Sequence, residues 1–175
     1  MANITNLVGS AGAASPTSEV HSSQLERLGQ LAMDGDGNIY MYVDFQESCV
    51  AGEWVAISHA FAASQLTNTS RGYVGVVVGT VSASDRFGWV QVYGIHTAAL
   101  GSSNITSGDS FVASATTATG GVFPATTSVG VAIFGAVARS AADTCASTAL
   151  SADAAPFTVQ LNFPFISGQE SNQSS

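Results

Sequence analysis

The sequence predicts an all-β protein, a small β-barrel or β-sandwich with an extended N-terminal arm. Apolar residues recur at every second position, most clearly from Tyr73 to Ile95 and from Phe157 to Phe165, which is the strand period. The alternating segments are rich in Val, Phe, Trp and Tyr, side chains that suit a pleated, half-buried surface. Glycines interrupt them at Gly75, Gly79, Gly88 and Gly94, and glycine inside a strand marks close backbone approach or a sharp bend. Alternation with internal glycines fits a tightly curved sheet.

In chain order, residues 1–24 are rich in Ala, Ser, Gly and Asn without periodicity and read as an extended arm. Residues 25–166 read as one β-domain. It begins at Leu25 to Met33, turns at Asp34-Gly35-Asp36-Gly37-Asn38, and continues as a strand from Ile39 to Phe45. In that strand Ile39, Met41, Val43 and Phe45 alternate with Tyr40, Tyr42 and Asp44. A turn at Ala51-Gly52-Glu53 leads into Trp54-Val55-Ala56-Ile57. The central hairpin follows, its arms joined by Ser82 to Arg86. Phe87, Trp89, Gln91, Tyr93 and Ile95 share one face of its second arm, and Gly88, Val90, Val92 and Gly94 the other. Asp85 and Arg86 keep the loop solvated or pair with a neighbouring subunit.

Thr97 to Ser107 reads as a loop, Thr116 to Gly121 as a turn and Ala141 to Pro156 as a small-residue excursion. The last strand puts Phe157, Val159, Leu161, Phe163 and Phe165 on one face, and Pro164, which cannot donate to a ladder, should end it or lie on an edge. Residues 167–175 form a polar tail.

An echo runs through the domain. Gly52-Glu53-Trp54-Val55-Ala56 precedes Val74-Gly75-Val76, and Gly108-Asp109-Ser110-Phe111-Val112-Ala113 precedes Val129-Gly130-Val131. The domain therefore reads as two similar halves closing on each other, and two copies do not make a solenoid.

Composition limits the function. Only 9 % of the 175 residues are charged, against about 25 % ordinarily. Lysine is absent, the cations being Arg27, Arg71, Arg86 and Arg139, and the net charge is −8. Nucleic acid is a poor partner for such a surface. No apolar run reaches the roughly 20 residues of a membrane helix, and the N-terminus lacks a secretory signal. A bridge between Cys49 and Cys145 stays open, but the reading favours two buried thiols. A chain so poor in charge and coated in small hydroxyls suggests a surface covered by partners.

Reactive chemistry is sparse. Asp34-Gly35-Asp36-Gly37-Asn38 starts like a calcium loop, but Ile39 and Phe45 stand where glycine and glutamate are required. His21, His59 and His96 have no local partners at ligand spacing, and no G-x-S-x-G elbow is present. The expectation is a protein that is not an enzyme, with no catalytic residue, metal or cofactor. Trp54, Phe87, Trp89 and Tyr93 suggest either a barrel core with a subunit interface or a carbohydrate-stacking platform. The candidate interface residues are Ile4, Leu7 and Val8 in the arm, with Trp89, Tyr93 and His96 on the hairpin.

The runs Asp36-Gly37-Asn38-Ile39-Tyr40-Met41-Tyr42-Val43, Ala51-Gly52-Glu53-Trp54-Val55, Val74-Gly75-Val76 and Phe87-Gly88-Trp89-Val90-Gln91-Val92-Tyr93-Gly94 resemble the small capsid decoration (cement) proteins of tailed bacteriophages. The resemblance covers roughly residues 28 to 138, and its most specific block is Phe87 to Gly94. It implies a β-tulip-like domain of the lambda-type head decoration kind, on the outer surface of the virion and assembled in the host cytoplasm. The implied partners are the major capsid protein and further copies of the chain, commonly as a homotrimer, with arms lying along the major capsid protein or a neighbouring subunit. This chain is longer than the simplest lambda-type pattern and adds the excursion at 141–156. A head-fibre base or a glycan-binding surface module of the same virus is the alternative.

Overall fold

The computed structural model describes residues 5–6, 18–102, 104–113, 122–125, 130–142 and 154–166. Among them the fold is all-β: β1 (Thr5–Asn6), β2 (Leu31–Met33), β3 (Ile39–Phe45), β4 (Trp54–Ile57), β5 (Ala62–Gln65), β6 (Gly72–Val77), β7 (Phe87–Ser102), β8 (Phe111–Ala113), β9 (Phe123–Pro124), β10 (Val131–Ala138) and β11 (Ala154–Ile166).

Strands β3 to β11 form two rings that share β7, while β1 and β2 lie outside them, paired antiparallel with each other and through β2 with β3. In the first, β3 pairs with β5 in parallel, and β5–β4, β4–β6, β6–β7 and β7–β3 close it antiparallel. In the second, β7 pairs with β11, β11 with β10, β10 with β8 and β8 with β9. A parallel bridge from Val122 to Gly101 returns that ring to β7. Within the rings, closure pairs strand edges that would otherwise invite aggregation.

Main-chain bonds repeat between the rings. Glu53 N–H donates to Val50 O and Asp109 N–H to Thr106 O, both at 3.2 Å. In each turn the acid accepts a bond from the residue three back, Val50 N–H to Glu53 Oε2 at 2.9 Å and Thr106 N–H to Asp109 Oδ2 at 2.8 Å. The preceding Gly52 and Gly108 have φ of 90° and 94°, values that only glycine adopts without strain. Gly52 N–H reaches Val77 O and Gly108 N–H reaches Ala138 O, each at 2.8 Å. The Gly-acid echo therefore has a structural counterpart, while the Val-Gly-Val echo is displaced. Val55 faces Gly75, but Phe111 faces Ile133, three positions beyond Gly130.

Two cores follow. Met41, Val43, Phe45, Val55, Ile57, Val77, Val90 and Val92 fill the first ring. Phe111, Val131, Ile133, Phe157, Val159 and Leu161 make the second, to which β4 and β6 add Trp54, Val74 and Val76 from their other face. Trp54, fully buried, satisfies its indole by donating to Leu100 O at 2.9 Å. A small third cluster of Ala32, Tyr40, Tyr42 and Trp89 sits outside the first ring, with Leu28 against it.

Several expectations change. Thr97 to Ser107 is not all loop, because β7 continues to Ser102 against β11. The central hairpin is joined by residues 78–86, and Val81 leaves it to bridge Cys49. Arg86 pairs within the chain, its Nη2 lying 2.7 Å from Asp44 Oδ2, and Ser82 Oγ donates to Asp85 Oδ2. Pro164 neither ends β11 nor lies on an edge. It sits where the β10–β11 ladder jumps from Leu161 to Phe165, a bulge, which is where a strand tolerates proline.

Of the expected arm, residues 18–24 lie against the body: His21 N–H donates to Phe87 O at 2.8 Å, and its carbonyl accepts from Arg86 and Phe87 N–H. Cys49 is a buried free thiol, pushed up to about 12 by burial and then by Glu53 and Glu47. Cys145, residues 116–121 and the 167–175 tail lie outside the described residues, as does most of the 141–156 excursion.

Candidate interaction surface

The surface is built around the place where β7 passes from the first ring to the second. The β2–β3 turn holds it. Asp34 Oδ1 accepts from Asp36 and Asn38 N–H, both at 2.9 Å, and Oδ2 accepts from Asn38 Nδ2 at 2.9 Å and Tyr40 Oη at 2.7 Å. Burial pushes this carboxyl up, but the hydrogen bonds outweigh it and hold the group below its ordinary range. The oxygens that a calcium ion would want are thus spent on the turn. Asn38 Oδ1 then accepts Ile95 N–H from β7 at 2.9 Å. Next to it Gly94 has φ 97°, and a Cβ there would collide with Asn38. Only glycine fits this bend.

Beyond the bend β11 and β10 are irregular as well. Phe163 has φ 46° and Gly135 φ 78°, and both fall where the β10–β11 register shifts. A one-residue slip exchanges the faces of a strand. Phe157, Val159 and Leu161 point into the core as expected, but Phe163 and Phe165 point outward while Pro164 and Ile166 point in. In β10 ordinary alternation leaves Phe134 facing out after Val131 and Ile133, and the register shift follows it at Gly135.

These outward rings meet. Phe165 is registered with Tyr73 of β6 on one side and Phe134 of β10 on the other. Phe134 and Phe165 stack at 5.2 Å between centroids with 22° between planes, and Tyr93 lies 5.5 Å from Phe163. With Ile95, these side chains are 37–53 % exposed. They are the exposed large apolar residues of the described chain apart from Leu25. Clustered apolar exposure marks a contact surface far more than scattered residues do.

The structure sorts the sequence candidates. Tyr93 belongs to this aromatic face. His96 is half-buried in a groove beside it, and burial pushes its pKa down to about 4. Trp89 cannot serve an interface: it is 1 % exposed, edge-on to Tyr42 at 5.0 Å and beneath the segment leading into β2. The platform of Trp54, Phe87, Trp89 and Tyr93 does not form either, since both tryptophans are interior. Ile4, Leu7 and Val8 lie outside the described residues. Tyr73, Phe134, Phe163 and Phe165 were missed, although Phe163-Pro164-Phe165 carried the signal, a proline inside an otherwise regular strand.

Among the described residues the reactive groups are dispersed. Ser58 Oγ accepts from Ala60 and Ala62 N–H in its own turn, and neighbouring His59 is exposed. Among the described residues no three His, Cys, Asp or Glu side chains are grouped to hold a metal ion. Comparison with family models, curated proteins and solved structures finds no match for the chain.

Proposed function

We propose that this chain is a structural virion protein that decorates the outside of a tailed-phage icosahedral head and stabilises it by binding the major capsid protein lattice. The observation that carries the reading is the aromatic face of Tyr73, Phe134, Phe163 and Phe165. It leaves several large rings half open to water, and each ring covered by a partner recovers about 1 kcal/mol, roughly half of what a full burial is worth. The low charge fits a molecule that spends its life against other polypeptides. The blocks that resemble decoration proteins fall on β3, β4, β6 and β7, four of the five strands of the first ring. Repetition over a lattice makes weak contacts cumulative, so one copy need not bind tightly. Assembly as a homotrimer and action by contact rather than catalysis belong to the same proposal.

Electron cryomicroscopy of heads assembled with and without the chain tests it. The expected result is added density on the outer face of the shell at a regular lattice position. Identical shells, or density confined to the tail or interior, overturn the reading.

A further inference from the structure

Beside the aromatic face runs an open groove of about 600 Å³, lined by Asp36, Asn38, Tyr93, His96, Thr97 and Gln160 among others. We infer that this groove is a binding site for a neutral saccharide, a property beyond capsid decoration. Its volume lies within the usual range of small-ligand sites, and its lining has two kinds of wall.

The first wall is the Tyr93 ring, 37 % exposed and backed by Phe163 at 5.5 Å. A ring fixed from behind offers a flat apolar plate at little entropic cost, which suits the C–H face of a pyranose. The second wall is made of polar groups whose orientation is already set. Gln160 Nε2 is held by the carbonyls of Gly94 and Leu161, both at 3.4 Å, which leaves Oε1 as an acceptor. His96 Nδ1 accepts Ala98 N–H at 3.2 Å. Burial keeps this imidazole neutral at pH 7, so its proton resides on Nε2, a donor. Thr97 adds a hydroxyl and Asp36 a carboxylate. Alternating donors and acceptors beside an aromatic plate match a ring with one apolar face and a rim of hydroxyls.

Charge narrows the choice. Asp36 is the single formal charge lining the groove, and the chain carries −8 overall, so phosphates, nucleotides and sialylated glycans are repelled. A polar lining does not suit an acyl chain.

The test is saturation-transfer difference NMR on the full chain with trisaccharides of glucose, galactose and N-acetylglucosamine, and with sialyllactose as the anionic probe. At least one neutral trisaccharide is expected to receive saturation at its ring protons and the anionic one none. Gln160→Ala and Tyr93→Ala, each first checked for an unchanged fold by its amide spectrum, should weaken binding about tenfold or more. The Phe134→Ser variant, altered away from the groove, should bind the sugar as the parent does. Absence of binding by all three neutral probes, preference for sialyllactose, or indifference to both groove substitutions overturns the inference. None of these results depends on whether the chain binds viral heads.

Discussion

Asn38 shows how one short side chain fixes a larger geometry. Through Nδ2 it is tied to Asp34 in its own turn, and through Oδ1 it holds Ile95 of β7. The bend at Gly94 and the position of His96 two residues on both follow from that clamp. His96 should leave a mark on stability. Folding pushes its pKa down to about 4 from an ordinary value near 6.5, so between those values the unfolded chain binds the proton and the folded chain does not. Stability is therefore full above about pH 6.5 and declines as the pH falls toward 4. The expected loss between pH 7 and 4.5 is about 2 kcal/mol. Glu53, whose carboxyl burial pushes up, acts in the opposite direction, so the informative readout is a difference. Urea unfolding at the two pH values should show a markedly smaller loss in His96→Gln than in the parent, and an equal loss would refute the assignment.

Among the elements β11 is the most instructive. Its alternation was legible from Phe157 through Leu161, because period two with aromatic and branched side chains leaves little choice. What sequence could not supply was the exchange of faces at Phe163. That exchange needs the backbone of β10 to bulge opposite it, and Gly135, which sits against Asn162 O, lies more than two dozen positions away. Stability measurements separate the two arrangements. Leu161→Ala, deep in the second core, should cost about 2–5 kcal/mol. Phe165→Ser, half exposed on the outward side of the same strand and losing its stack on Phe134, should cost clearly less, about 1 kcal/mol. Comparable large losses at both positions would mean that the strand keeps one phase throughout. β7 was misread for a related reason: Thr97 to Ser102 has few strongly strand-forming residues and is extended because β11 pairs with it.

For the whole molecule, the all-β class and the Gly-acid turns could be read from composition and spacing, since both are local. The sharing of β7 between two rings could not, because it is decided by pairings far apart in sequence, such as Ser102 with Ala154 and Gly101 with Val122. The aromatic face was hidden for the same reason, its members coming from β6, β7, β10 and β11. Trp89 drew attention as a large aromatic in a conspicuous block, but the most apolar rings are usually inside, and the informative ones are those left out. The proposed function rests on those outward rings, and co-sedimentation with heads that lack the protein measures it most directly. Heads should carry down the parent chain to saturation, and the Phe134→Ser/Phe165→Ser variant, shown to be folded by its amide spectrum, should remain in the supernatant. Equal capture of both proteins would contradict the account, as would failure of heads to capture the parent at all.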